Sequence, residues 1–265
     1  MSQLIHPALD PLLALGVGVL AWRVRALSAG GAIAAAAVGW AHGAGAGRLG
    51  AGALIAFFVT STLLSKLGKR RKDALGFEKG GTRDHWQVLA NGGVSAMAAL
   101  VLLVAPGNTA AQAALLGALA TATADTWATE IGSVLGRNPR RIADLRPARA
   151  GESGAVTVAG TCAAAAGALL IAGMGLAGGL SADLAGAVLG AGIAGALIDS
   201  WLGATCQAMR RCAVCERITE ANHCCALPTA PHSGYAWMRN DAVNAIATAA
   251  GAALAVLTAL GRGIV

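Results

Sequence analysis

AVTVAGTCAAAAGALLIAGMGLAGGL, residues 155–180, contains no charged side chain. A helix of this length outspans the ~30 Å hydrocarbon core of a bilayer at about 1.5 Å of rise per residue. It has no polar stripe to face water, so it reads as a membrane span and not as the buried face of a soluble helix. The rest of the chain agrees, with 56% hydrophobic and 12% charged residues. A soluble helical protein would need amphipathic stripes, and stretches such as this one lack them. Ala and Gly dominate the apolar stretches, and small residues let membrane helices approach closely, which predicts a tight bundle.

Outward from that segment, an all-α polytopic membrane protein is expected, with seven to eight spans in a single integral membrane domain, residues 1–265. The spans read as approximately 8–22, 27–43, 50–67, 86–105, 109–131, 154–174, 182–208 and 239–260. The first two are short, and a re-entrant hairpin is their alternative. Of the 20 Lys and Arg, alternate loops give one side Arg48 and Arg262 and the other side all the rest. The basic side is cytoplasmic by the positive-inside rule, so both termini are expected outside. The cytoplasmic loops are then about 68–85, 132–153 and 209–238. Met1–Pro11 has no basic n-region, so no cleavable signal peptide is expected. The net charge of +7 is largely topological and implies no nucleic-acid partner. The expected location is a bacterial inner (cytoplasmic) membrane.

Within the spans, polar residues gather toward the cytoplasmic ends. Ser61, Ser65 and Lys69 share one helix face, with Lys66 beside them. Gln87, Asn91 and Ser95 form a second row, and Thr121, Asp125 and Thr129 a third. Gly195, Asp199, Gly203 and Gln207 form a fourth, and Asn240, Asn244 and Thr248 a fifth, with Asp241 adjacent. In lipid such faces must turn inward, which predicts a polar chamber open to the cytoplasm. Interhelical hydrogen bonding accounts for Ser, Thr, Asn and Gln. It accounts poorly for Asp125, Glu130, Asp199 and Asp241, because ionisable groups inside a membrane are costly. Asp125-Thr126-Trp127 and Asp199-Ser200-Trp201 look like counterparts on parallel helices. Glu130 lies about 140° from Asp125 around an ideal helix. Either the helix breaks near Gly132 or Glu130 serves the loop side.

Three loops add chemistry. KLGKRRKDALGFEKGGTR, residues 66–83, mixes cations with glycines, a combination suited to phosphate. Lys69, Lys79 and Arg83, next to the polar faces, are the functional candidates there, whereas Arg70, Arg71 and Lys72 read as topogenic charge. Gly151-Glu152-Ser153-Gly154 leads into the sixth span and offers backbone donors for an anion. Residues 210–239 contain Cys212, Cys215, His223, Cys224 and Cys225. On a cytoplasmic face disulfides are not expected. Cys212, Cys215, His223 and Cys224 offer a tetrahedral zinc site of structural type, although the second half lacks a paired spacing. No nucleophile elbow, His-Glu-x-x-His, Walker loop or dinucleotide fingerprint occurs.

Together, Ala124–Glu130, Gly80-Gly81-x-Arg83, Gln87–Gly93, Asp199-Ser200-x-x-Gly203-Ala204 and Asn240-Asp241-x-Val243-Asn244 resemble one membrane family. It was long catalogued as a domain of unknown function and includes the plant chloroplast phytyl-phosphate kinase and the human transmembrane protein nineteen. The chain departs from the family pattern in the cysteine-rich loop and at Ala236–Arg239. The resemblance implies a polyprenyl-monophosphate kinase. Such an enzyme moves a phosphoryl group from a nucleoside triphosphate such as CTP to an isoprenoid monophosphate such as phytyl or geranylgeranyl phosphate. In that reading Asp125, Asp199, Asp241 and Glu130 hold Mg²⁺, and Lys66, Lys69, Lys79 and Arg83 clamp phosphates. Gln87, Asn91, Ser153, Asn240 and Asn244 bind nucleotide or phosphate oxygens. An ion-coupled transporter or flippase, and a nucleotidyltransferase that makes a CDP-lipid, are the alternatives.

Overall fold

The structure is a computed structural model that describes residues 9–66 and 82–264. Lys69, Lys79 and the Gly80-Gly81 pair lie outside the described residues. The helices are α1 (Leu9–Arg23), α2 (Ala29–Lys66), α3 (His85–Val104), α4 (Thr109–Leu135), α5 (Val158–Ala177), α6 (Ala182–Thr205) and α7 (Asn240–Gly261). Five of them, α2, α3, α5, α6 and α7, are long and apolar enough to cross a membrane. The chain is a polytopic helical membrane protein. The expected all-α character needs one addition: the loops fold into short strands. β1 (Arg140–Arg141) pairs with β2 (Ala155–Val156). β3 (Met209–Arg211), β4 (Ile218–Thr219) and β7 (Ala230–Ser233) form a three-stranded sheet, while β5 (His223–Cys224) pairs with β6 (Leu227–Pro228).

The two spans read at 27–43 and 50–67 are one assigned helix, α2, broken at Gly47, whose φ of 58° and ψ of −143° are not helical. The chain reverses there. Before Gly47, Val38 packs on Gly92, His42 bonds to Ser95 and Gly45 packs on Ala99, so the segment climbs alongside α3. After it, Gly52 meets Met174, Trp127 Nε1 donates to Thr60 and Ser65 donates to Glu130, so it descends alongside α4. A Cβ on Gly50 would lie 2.9 Å from the His42 carbonyl oxygen, eight residues back, which leaves no room for a side chain. Glycine supplies the positive φ without steric cost.

α4 is the central helix and packs against α2, α3, α5, α6 and α7. Its middle, residues 115–124 with Leu115, Leu116 and Leu119, is buried throughout. Small residues let the helices close on it. A Cβ placed on Gly195 of α6 would fall inside the Thr121 side chain. Gly195→Val is therefore expected to push α6 away from α4 and to lower stability by about 1–3 kcal/mol. The thermal midpoint of the detergent-solubilised protein reads this; an unchanged midpoint would contradict the close-packed seam.

Two interior threonines of α4 and α7 satisfy their hydroxyls on backbone, whereas the buried Ser61 Oγ has no hydrogen-bond partner among the described residues. Thr121 Oγ1 donates to the Gly117 carbonyl at 3.0 Å, and Thr248 Oγ1 to the Ala90 carbonyl at 3.1 Å. The outer surface carries exposed Leu12, Leu13, Leu20, Met97, Val104 and Leu169, as lipid contact requires. Trp22, Trp86 and Trp201, near helix ends that share one end of the bundle, and Trp237, in the loop just before α7, are also exposed. That arrangement is an interfacial aromatic girdle.

Candidate functional site

The polar ends of α2, α3, α4, α6 and α7 converge on a cavity of about 750 Å³. Lys66, Arg83, Gln87, Asn91, Asp125, Glu130, Ser153, Asp199, Asn240 and Asn244 all line it. They come from positions up to 178 residues apart, Lys66 to Asn244, so the fold assembles the site and not a local motif. Toward the opposite end, α4 is closed in by buried Ala118, Leu119, Ala120 and Ala122.

Asp125 and Asp199 interact directly across α4 and α6, and Glu130 acts electrostatically on Asp125. Asp199 Oδ2 is buried and has no hydrogen-bond partner among the described residues. α4 continues unbroken through Gly132, so Glu130 turns to the neighbouring side, as 140° of rotation requires. There Glu130 Oε1 accepts from Ser65 Oγ at 2.5 Å, and its charge supports that of Arg83.

Arg83 is placed by backbone. Its N–H donates to the Ala26 carbonyl at 3.0 Å, and its carbonyl accepts from the Ser28 N–H at 2.9 Å. Its guanidinium lies 6.0 Å from the Phe57 ring centroid and 5.9 Å from that of Phe58, in cation–π range. Burial lowers its pKa and the Glu130 charge raises it. Gln87 has a local task as well. It and Asp84 form a reciprocal capping box at the start of α3. Its Oε1 accepts from the Asp84 N–H, which leaves its amide donors for the cavity. Asn91 Nδ2 donates to the Gln87 carbonyl at 2.9 Å.

Ser153 sits in the turn that β1 and β2 carry against α6, where Gly154, at φ 74°, packs on Ala204. Ser153 Oγ donates to Gln207 Oε1 at 2.7 Å. Asn240 and Asn244 stand four residues apart on one face of α7, which begins without a side-chain cap. Asp241 is rotated off that face and is not among the lining residues. It acts instead on Glu220.

Glu220 had no periodic signal in the sequence, because it follows the two-residue strand β4. The loop returns it to the cavity, where it acts on Asp199. Burial pushes its carboxyl above the usual range, a hydrogen bond with Gln207 offsets part of that, and the Asp241 charge adds to it. The cavity thus combines acidic Asp125, Glu130, Asp199, Glu152 and Glu220 with cationic Arg25, Lys66 and Arg83.

The cysteine loop corrects one expectation. Sγ atoms of Cys212, Cys215, Cys224 and Cys225 lie within 4.8 Å of one another, and His223 is not part of the group. His223 and Cys224 are consecutive residues of β5, so their side chains point to opposite faces. Cys225 (φ 50°) and Ala226 (φ 63°) form the turn between β5 and β6, and this brings Cys225 back to Cys224.

Comparison with known proteins fits this architecture. The chain is 32% identical to Protein PGR of Arabidopsis thaliana over 160 residues, 55% of each chain. It is 31% identical over 110 residues to an uncharacterised membrane protein of Methanocaldococcus jannaschii, which covers 42% of this chain and 45% of that one. An uncharacterised membrane protein of Synechocystis is 30% identical over 114 residues, 42% of this chain and 44% of that one. The chain spans about half the length of the curated relatives it matches. No solved structure matches. The model of the family described as "Integral membrane protein DUF92" matches residues 12–252, from within α1 to the middle of α7. The chain therefore belongs to the DUF92 family of integral membrane proteins.

Proposed function

We propose that the chain is a membrane phosphotransferase that moves a phosphoryl group from a nucleoside triphosphate such as CTP to an isoprenoid monophosphate. The observation that carries this reading is the half-buried Asp125–Asp199 pair in the cavity at the polar end of the bundle, with the buried Asp199 Oδ2 left without a hydrogen-bond partner among the described residues. Buried carboxylates of this kind are expensive in a membrane and call for a cation.

The donor set fits Mg²⁺, which prefers oxygen ligands and keeps several waters. Asp125 and Asp199 would hold it, with Glu130 on the adjoining side. When bound, it neutralises phosphate charge in a cavity whose own carboxylates would otherwise repel an anion.

The protein's residues do the remainder. Arg83 offers five fixed donors to a phosphate group, and Lys66 adds charge at the rim. Asn91, Asn240 and Asn244 orient phosphate or nucleotide oxygens. The acceptor is already an anion, so positioning and charge neutralisation suffice, and no strong general base is needed. An isoprenoid phosphate suits the location, with its tail in lipid beside the girdle of Trp22, Trp86, Trp201 and Trp237 and its head in the cavity. Under this reading the cavity faces the cytoplasm, since among the described residues every Lys and Arg except Arg48 and Arg262 lies toward its end of the bundle.

Purified protein in detergent, given Mg²⁺, CTP and geranylgeranyl or phytyl phosphate, is expected to form the prenyl diphosphate and CDP on thin-layer chromatography. Release of pyrophosphate would instead identify a nucleotidyltransferase. No nucleotide consumption with any prenyl phosphate would reject phosphotransfer and leave a carrier.

A further inference from the structure

We propose that Cys212, Cys215, Cys224 and Cys225 bind one structural Zn²⁺ that staples two loop hairpins together above the cavity. The distances fit the ion. Zn–S bonds of about 2.3 Å in a tetrahedron separate the sulfurs by about 3.8 Å. Cys215 and Cys224 Sγ are 3.6 Å apart, and Cys224 and Cys225 Sγ 3.9 Å. All four thiols are free of disulfides. Disulfide bonding would join sulfurs in pairs at about 2.0 Å, which would not favour four of them gathered around one centre.

The local backbone supports a thiolate centre. Cys212-Ala213-Val214-Cys215 turns tightly, with the Glu216 N–H donating to the Cys212 carbonyl and the Cys212 N–H to the Arg217 carbonyl. The Val214 and Cys215 N–H groups point at Cys212 Sγ. Cys224 and Cys225 come from the separate β5–β6 hairpin, so an ion here links the β3–β4 turn to it. Each thiol gives its proton to solvent on binding, and the product is a zinc tetrathiolate.

The staple has a consequence for the cavity. Between the two ligand pairs runs Ile218–Asn222, which carries Glu220 into the lining. The base of this loop is already tied: the Ala208 N–H donates to the Met238 carbonyl and the Tyr235 N–H to the Cys206 carbonyl. The far tip has little apolar packing, since Val214, Ile218 and Leu227 are exposed. Thr229 already ties the residues beside Glu220, its Oγ1 donating to the Ala221 carbonyl and its N–H to the Asn222 carbonyl, and the ion adds a second cross-link at the tip. This site does not depend on the phosphotransfer reading.

The test uses the full chain, purified in detergent under reducing conditions without chelator. Inductively coupled plasma mass spectrometry should find one zinc per chain. The double variant Cys215→Ser/Cys224→Ser should lose at least nine-tenths of it by about the strength of two lost thiolates, while Cys162→Ser, in α5, should keep it. Cobalt(II) exchanged into the wild type should show tetrahedral thiolate absorption. Releasing zinc with an organomercurial should speed tryptic cleavage at Arg210, Arg211 and Arg217 by on the order of tenfold, as local stability falls. The organomercurial arm uses only wild-type protein, so it stands even where the double variant does not fold. Absence of stoichiometric zinc together with no cobalt thiolate spectrum, or zinc retained by the double variant, would overturn the proposal.

Discussion

Asp199→Asn is expected to insert and fold normally and to lose phosphoryl transfer by on the order of 10³-fold, about 4 kcal/mol of transition-state stabilisation. Asn keeps the shape of the side chain and removes the charge. In this site the charge is the point of the residue: Asp199 Oδ2 is buried with no hydrogen-bond partner among the described residues, and Asp125 presses a second carboxylate against it. A purely structural pair would not be built this way, because like charges in a low dielectric repel. Removing one of them should leave the thermal midpoint of the metal-free protein unchanged or higher, the usual trade between stability and function at an active site. Asp125→Asn should behave alike. Asp241→Asn should cost far less, since Asp241 is outside the lining and acts through Glu220. Turnover and midpoint measured on the three variants separate the roles. Near wild-type turnover by Asp199→Asn would remove it from the reaction, and equal losses from Asp199→Asn and Asp241→Asn would point to a general disturbance of the polar end.

Much of this site is legible in the chain because membrane insertion leaves few choices. A polar row at helical spacing must turn inward, so Asp125 and Asp199, with Asn240 and Asn244, could be placed in one chamber from periodicity. The same geometry excludes Asp241 from the face that Asn240 and Asn244 share, a distinction that a list of carboxylates misses. Glu130 left two alternatives open, and α4 runs straight through Gly132, which sends its carboxylate to Ser65 and Arg83. The reversal at Gly47 was visible as a gap between spans, but its tightness was not. In His42–Gly52 the turn is marked by Gly and Ala around Arg48 and Leu49, with no proline. The loops were least legible. Two-residue strands carry no periodic pattern, so neither the return of Glu220 to the cavity nor the choice of Cys225 over His223 could be read before the β5–β6 turn was seen. Lys69 and Lys79 fall outside the described residues.

Arg83→Gln is the second large expected effect, and it should appear mainly in KM for the phosphate-bearing lipid, raised about 10- to 100-fold, with kcat changed less. A hydrogen bond to a charged group is worth about 1.5–3 kcal/mol. Arg83 meets the requirements for such a clamp. Its backbone is pinned on both sides by Ala26 and Ser28, so its position is fixed before substrate arrives. Phe57 and Phe58 flank the guanidinium, and the nearby Glu130 charge helps keep it ionised against the cost of burial. Arg83→Lys retains the charge but not the planar fork of donors, so it should recover only part of the affinity. A structural role makes a different forecast. Loss of the cation–π contacts alone would destabilise the glutamine variant by about 0.5–1 kcal/mol per contact, read as a lower thermal midpoint, and leave KM where it was. Raised KM at an unchanged midpoint, partly restored by lysine, fits only a guanidinium that holds substrate.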